Sequence, residues 1–290
     1  MEFRFPLSSD IITMVRLFLE CAQNVLRSRY SITLAQFRTL AYIEKGIALT
    51  ATDLAEPLGQ PIPRISVNIS QLGSRGIVEC RSRRGTSKEL AATARGSSLF
   101  AACRDGVQEE FERLLAPLDE DQAAAFKAGC LVTAVKDGVF SYFGEAPDYV
   151  YSYLRAFYLS EQTFTETANR FGLSLSCARV LLALVEADGR REYADLRQTL
   201  LMPSATMADA VKPLCREGTV DSRPLDGRSK LLALTPQGAV LAQGCARALD
   251  DCLMDSIRSS AEAERRQYAV AAAAIVHAER AARRGAHSGR

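Results

Sequence analysis

The chain has 290 residues, 48% apolar and 24% charged, with a formal net charge of +2, and this ordinary globular composition excludes a mostly disordered, collagen-like or low-complexity protein. A length prior of about 100 to 200 residues per domain points to two domains. The longest apolar run, Ala269 to Val276, falls far short of the ~20 residues of a membrane span, and residues 1–10 lack the basic start and apolar core of a signal, so a soluble cytosolic protein with no membrane partner is expected.

In chain order, Asp10 to Arg29 has the spacing of a long helix. Two short helices follow, marked by Leu34, Phe37, Leu40, Ala41 and by Leu54, Ala55, Leu58. A third places Ile62, Ile65, Ile69 and Leu72 on one face, with Pro61 and Pro63 in its first turn, where a missing N–H costs little. After Gly76, the extended stretches Val78 to Ser82 and Lys88 to Thr93 form a hairpin around a basic turn containing Gly85. Long helical patterns resume over Ala94 to Leu115 and Asp119 to Phe143, and Gly and Pro in Gly144 to Asp148 then mark a hinge. The order repeats beyond it, beginning with a long helix over Tyr149 to Arg170. Leu175, Ala178, Leu181, Leu182 and Leu196, Leu200 mark the short helices, and long helices over Pro236 to Ser259 and Ala261 to Arg284 close the chain.

Sliding the chain along itself explains this order. A shift of 142 places Asp53-Leu54 on Asp195-Leu196, Leu72 on Leu214, Gly76 on Gly218, Val78 on Val220 and Arg81 on Arg223. Gly85, Ser87, Lys88, Leu90, Ala91, Thr93 and Gly96 then fall on Gly227, Ser229, Lys230, Leu232, Ala233, Thr235 and Gly238. The preceding stretch aligns at 141, which places a one-residue insertion at the turn signal Asp188-Gly189. The chain therefore reads as two copies of one domain, 1–146 and 147–290.

Three helices and a two-stranded wing form the winged helix-turn-helix order, in which the third helix enters the major groove. The strings LGSRGIVECRSRRGTSKELAATARG and LCREGTVDSRPLDGRSKLLALTPQG resemble the wing signature of the MarR family of bacterial regulators: Leu, Gly-x-Val, Arg, a basic wing, then Leu-x-x-Thr-x-x-Gly. The second also keeps an acidic-plus-Arg wing tip, Asp226 and Arg228. The SITLAQFRTL and GLSLSCARVL segments and the long flanking helices match too, so the likeness covers about 260 residues. It implies a mostly α fold with small β-wings, two tandem winged helix-turn-helix domains joined by a bundle of flanking helices. Family members are homodimers, so it also implies a monomer that is its own pseudo-dimer, regulates transcription and binds double-stranded promoter DNA.

Departures from the family pattern weigh on the DNA expectation. Where the family commonly places a Thr/Ser-Arg pair that reaches bases, this chain reads Ser66-Val67 and Ala208-Asp209. Pro213 falls inside the second recognition helix, where it removes a hydrogen bond and costs about 3 kcal/mol or kinks the helix. Residues 62–88 carry a net charge of +5 and residues 204–230 only +1, so the first copy is expected to be the stronger reader. Its candidate DNA contacts are Arg64, Asn68, Gln71 and Arg75 on the face opposite the apolar stripe, with Arg81, Arg83, Arg84 and Lys88 in the wing. In the second copy they are Thr206, Lys212, Arg223, Arg228 and Lys230. The rival from another class is a small-molecule sensor or protein-interaction scaffold that kept the fold and lost DNA binding.

Ten of the 21 aromatics fall within residues 140–171. The resemblance implies a small aromatic effector held between flanking helices and winged unit, with Phe18, Phe37, Tyr42, Tyr153 and Phe157 as its lining. The other reading, which is the commoner use of aromatics, is that these rings bind the copies together. Arg280, Arg283, Arg284 and Arg290, set among Gly and Ser, read as a frayed tail. The eight cysteines lack zinc or redox-pair spacing and His277 and His287 are the only histidines, so reduced thiols, no metal and no cofactor are expected. Cys21 invites comparison with the family's peroxide-sensing branch, but its sequence neighbours offer no basic group to activate it. With no phosphate loop and no nucleophile elbow, an enzyme is not expected.

Overall fold

A computed structural model of the chain describes residues 9–46, 48–82, 88–135, 149–225, 229–256 and 262–288. It is mostly helical, with two small antiparallel sheets. The described residues form two compact units whose chain segments alternate: one is Phe18–Arg113 with Asp137–Ser152, the other Met1–Leu17, Leu114–Lys136 and Tyr153–Arg290.

In the first of these units, α1 (Ser9–Tyr30) supplies its later turns, and α2 (Leu34–Glu44), α3 (Ala51–Leu58) and α4 (Ile62–Ser74) follow. Local sequence explains the starts of α2 and α3. Thr33 and Gln36 close a capping box, as do Thr50 and Asp53, so orphan N–H groups find partners before any tertiary packing. Pro61 stands at the N-cap of α4 and Pro63 in its first turn. Strands β1 (Val78–Ser82) and β2 (Lys88–Ala92) pair antiparallel from Val78↔Ala92 to Ser82↔Lys88, and α5 (Ala94–Leu115) follows. Beside the hairpin, the Leu90 N–H donates to the Leu49 carbonyl at 2.7 Å. The core holds Phe18 edge-on to Phe111 (4.9 Å), Phe37 stacked on Phe100 (5.6 Å) and Tyr42 edge-on to Tyr151 (5.6 Å).

The other unit contains α6 (Glu120–Val135), most of α7 (Tyr149–Arg170), α8 (Leu175–Glu186), β3 (Arg190–Glu192), α9 (Tyr193–Thr199) and α10 (Ser204–Arg216). It continues through β4 (Val220–Pro224), β5 (Lys230–Leu234), α11 (Pro236–Ser256) and α12 (Glu262–Ser288). Ser174 caps α8 by accepting the Cys177 N–H at 3.2 Å. The sheet order is β3-β5-β4, so three strands stand where the sequence suggests two. β3 is three residues of charge with no apolar alternation to announce it, and it forms because β5 offers a free edge. Pro213 leaves α10 continuous to Arg216.

Helices α6 and α12 pack closely in this unit. Phe126 stacks on Tyr268 at 5.8 Å and also meets Tyr153 and Phe157. Gly129 is required there, since a Cβ would come within 2.6 Å of the Tyr268 ring. Burial pushes the Tyr268 hydroxyl and the Cys130 thiol well above their ordinary ranges. No single described helix is long and apolar enough to cross a membrane. The hinge suggested at Gly144 to Asp148 lies outside the described residues.

Candidate nucleic-acid interface

Each unit holds a helix-turn-helix followed by a hairpin, and the same joint fixes the hairpin in both. The Thr93 hydroxyl donates to the Gly76 carbonyl at 2.7 Å and accepts the Gly96 N–H at 3.0 Å. Residues 142 further on repeat this: the Thr235 hydroxyl donates to the Gly218 carbonyl at 2.8 Å and accepts the Gly238 N–H at 3.0 Å. The glycines are there for space. A Cβ on Gly96 would lie 2.1 Å from the Ile77 carbonyl oxygen, and one on Gly238 1.8 Å from that of Thr219. This explains the Thr-x-x-Gly of both strings as the point where strand and helix backbones touch.

A second shared joint was not visible in sequence. The buried Arg38 donates through Nη2 to the Leu58 carbonyl at 3.4 Å, and the buried Arg179 to the Leu200 carbonyl at 2.6 Å. Each guanidinium thus meets carbonyls at the C-terminal end of the first helix of the helix-turn-helix, the negative end of its dipole. Cys103 and Cys245, also 142 residues apart, are both buried, and burial raises their thiols to about 12 and about 11.

The outer face of α4 presents Arg64, Ser66, Val67, Ser70 and Gln71 to solvent, with Val67 54% exposed. Gln71 accepts from Gln36 Nε2 through Oε1 at 2.7 Å, which orients its amide. Two residues expected on this face are elsewhere. Asn68 is only 8% exposed, because α4 turns Ile65, Asn68 and Leu72 inward while Ile62 is 44% exposed, so the buried stripe is rotated toward Asn68. Arg75 is half-buried and donates to the Ser31 carbonyl at 2.7 Å and the Tyr30 carbonyl at 3.3 Å, binding the end of α1. In the wing, Arg81 is exposed and paired with Glu79 at 2.8 Å. Lys88 opens β2 opposite Ser82, while Arg83 and Arg84 lie outside the described residues.

On α10 the corresponding outer face carries Ala208, Asp209 and Lys212, exposed, with Thr206 half-buried. Lys212 and Lys230 line one groove of about 490 Å³ between α9, α10 and the hairpin, together with Tyr193, Ser222 and Ser229. Arg223 is exposed and 3.4 Å from Asp221, and Arg228 lies outside the described residues. The two faces therefore differ in charge as well as shape. Asp209, exposed at mid-helix, would repel phosphate where Val67 would not.

The five rings considered as an effector lining fall into two groups. Phe18, Phe37 and Tyr42 belong to one unit, Tyr153 and Phe157 to the other, and all are at most 4% exposed with another ring as neighbour. None of them lines the groove at α10 or the larger cavity beside α12. The frayed-tail expectation is corrected: α12 continues to Ser288, and Arg280 is 14% exposed and paired with Asp10 at 2.6 Å. Cys21 has Arg113 Nη2 at 4.0 Å from its sulfur, a basic neighbour from 92 residues away. No group of three His, Cys, Asp or Glu side chains gathers into a metal site among the described residues.

No protein-family model and no curated protein matches the chain. Part of the chain is similar to three solved structures of transcriptional regulators. AbsC of Streptomyces coelicolor, a MarR family regulator, is 18% identical, with 43% of this chain and 86% of that chain covered at a TM-score of 0.39. A mutant MarR from E. coli complexed with operator DNA is 18% identical, covering 36% and 76% at 0.33. The organohalide-sensing regulator RdhR-CbdbA1625, ligand-free, is 12% identical, covering 39% and 67% at 0.35.

Proposed function

We propose that the chain is a DNA-binding transcription regulator, built as two MarR-like winged-helix repeats, 1–146 and 147–290, that pair as a fused pseudo-dimer. The observation that carries this reading is the joint of Thr, Gly and buried Arg that recurs about 142 residues apart and holds, in each unit, a recognition-type helix with its outer face in solvent beside a hairpin. The first repeat is the stronger reader. Arg64 and Gln71 reach base edges or phosphates, and Arg81, Arg83, Arg84 and Lys88 meet the backbone of the adjoining duplex. Asn68 is buried on the inner face of α4 and Arg75 ties the end of α4 to α1, so neither touches DNA. In the second repeat Thr206, Lys212, Arg223, Arg228 and Lys230 supply weaker, mostly phosphate contacts. The five buried rings serve as core.

Fluorescence anisotropy with the DNA upstream of the protein's own coding region, across a salt series, tests this. Specific binding with preference for an imperfect palindrome or a one-sided site is expected, because unlike readers face the two half-sites. The exposed Asp209 at mid-helix is the observation that favours the scaffold reading. No binding to any promoter DNA would overturn the regulator reading and favour the sensor or scaffold one.

A further inference from the structure

The arginines at the end of α12 form one wall of a cavity of about 830 Å³, well within the range of small-molecule sites. All of its residues belong to the unit that holds the second winged segment. Arg280, Arg283 and Arg284 come from α12, Arg197 from α9, and Leu201 and Met202 add apolar surface.

Two of these arginines already clamp the helix-turn-helix. Arg280 donates through Nη2 to Asp10 at 2.6 Å and through Nε to the Thr199 carbonyl at 2.7 Å, and Arg283 donates through Nη1 to the Leu201 carbonyl at 3.4 Å. Together with Arg179 on the Leu200 carbonyl, three cations meet the last carbonyls of α9.

Charge in the cavity is unbalanced. Five arginines line it against three carboxylates, with His277 beside them, and Glu279 on α12 pairs with Arg283 at 2.8 Å. Each carboxylate is already engaged: Asp10 by Arg280, Asp195 by Arg191, and Glu186 by the Ser9 N–H and hydroxyl. A concave wall with excess cations focuses a positive potential, and the planar guanidinium fork matches carboxylate and phosphate oxygens two at a time. We propose that this cavity binds a small molecule with two or more carboxylate or phosphate groups, held by the wall of Arg197, Arg280, Arg283 and Arg284. Arg280 and Arg283 exchange backbone carbonyls at the end of α9, Asp10 and Glu279 for the ligand. Positions 142 earlier than Arg197, Arg280, Arg283 and Arg284 read Ala55, Gly138, Ser141 and Tyr142 in the sequence, so this set of arginines is not repeated at those positions. Occupancy would loosen the end of α9 and thereby weaken DNA binding by the second winged segment. That consequence rests on the regulator reading above, whereas binding in the cavity does not.

Isothermal titration calorimetry of the full chain at fixed ionic strength tests it, with citrate, inorganic pyrophosphate and benzoate as probes. Citrate or pyrophosphate should bind one per chain, and Arg197→Ala with Arg284→Ala, at a half-buried and an exposed position, should weaken binding about ten-fold or more in a variant that still melts cooperatively. The arm that binds tells a carboxylate ligand from a phosphate one. No saturable heat from either polyanion, equal affinity in the double variant, or benzoate binding as tightly as citrate would each overturn the proposal. Loss of DNA affinity in the double variant without any polyanion heat would reassign these arginines to the nucleic-acid backbone. Polyanion binding that leaves DNA affinity unchanged would remove the regulatory link alone, and polyanion binding by a protein that binds no DNA would sink the regulator reading while the cavity stands.

Discussion

The turn between α3 and α4 is made by Gly59 at φ +59°, and 142 residues later the turn between α9 and α10 is made by Leu201 at φ +51°. A left-handed backbone suits glycine and costs an L side chain about 1 kcal/mol or more. Leu201 accepts that strain because its side chain is 8% exposed and its carbonyl receives Arg283, whereas Gly59 is exposed and needs no side chain. The winged segments thus keep the same backbone path by different means. Around it, buried joints are shared down to individual hydrogen bonds, while the outer faces of α4 and α10 differ at almost every position. The physical reason is the cost of change: a lost contact between touching backbones destabilises the fold at once, and a solvated side chain can be exchanged at little cost to folding.

The sharpest way to break this comparison is at the shared joint. Gly96→Ala and Gly238→Ala should each lower stability by about 2 to 3 kcal/mol, read as a fall in denaturation midpoint, since the carbonyl oxygens opposite cannot move without shifting a strand. A normal midpoint in one of the two variants would mean that the joints are not equivalent. Pro213→Gln, which installs the residue found 142 positions earlier, restores a helical N–H and should stabilise the protein by about 1 to 3 kcal/mol. If stability falls instead, the proline is serving the packing of α10 and not merely tolerated.

At the outer faces of α4 and α10, the regulator proposal predicts that Arg64→Ala costs about ten-fold or more in affinity for specific DNA and exceeds the loss from Lys212→Ala. Arg83→Ala with Arg84→Ala should weaken binding to all sequences and lower the salt slope by roughly 1 to 2 units, at about 0.9 per phosphate contact. Arg228→Ala should do less. Equal losses from both wings, with preference for a perfect palindrome, would refute the unequal-reader proposal.

Smaller effects separate the two turns. Gly59→Ala should cost about 1 kcal/mol for the left-handed backbone alone. Leu201→Gly relieves a similar strain but gives up a buried side chain worth about 1.5 to 3 kcal/mol, so a net loss of about 1 kcal/mol is expected in thermal melts. Smallest near neutral pH is the contribution of the matched thiols. Cys103 and Cys245 stay protonated in the folded chain to about 12 and about 11 against an ordinary value of 9.0. Stability from these groups is complete below pH about 9 and is lost as pH rises through those values, because the unfolded chain then ionises first. Alkylation at pH 8 should label the exposed Cys80 well before either.

Much of the architecture was legible in the sequence because its determinants are local. Apolar spacing marks most of the helices, Thr33, Thr50 and Ser174 cap helices within three residues of themselves, and the Thr-x-x-Gly joint lies within about 20 residues of the carbonyls it meets. The candidate site was legible only in part. Arg64 and Gln71 are on the expected face, yet periodicity places a stripe only to within about one residue on a short helix, and that margin decides whether Asn68 faces in or out.

What the sequence alone determined was the order of helices and hairpins, since it is a property of neighbouring residues. Only tertiary structure decided that Arg75 binds the end of α1 across 44 residues, that β3 joins β5, and that Arg280 reaches Asp10 across 270. An arginine's charge and reach are the same on a loose tail as in a clamp. Its role is set by which carbonyls and carboxylates folding brings within about 3 Å of it.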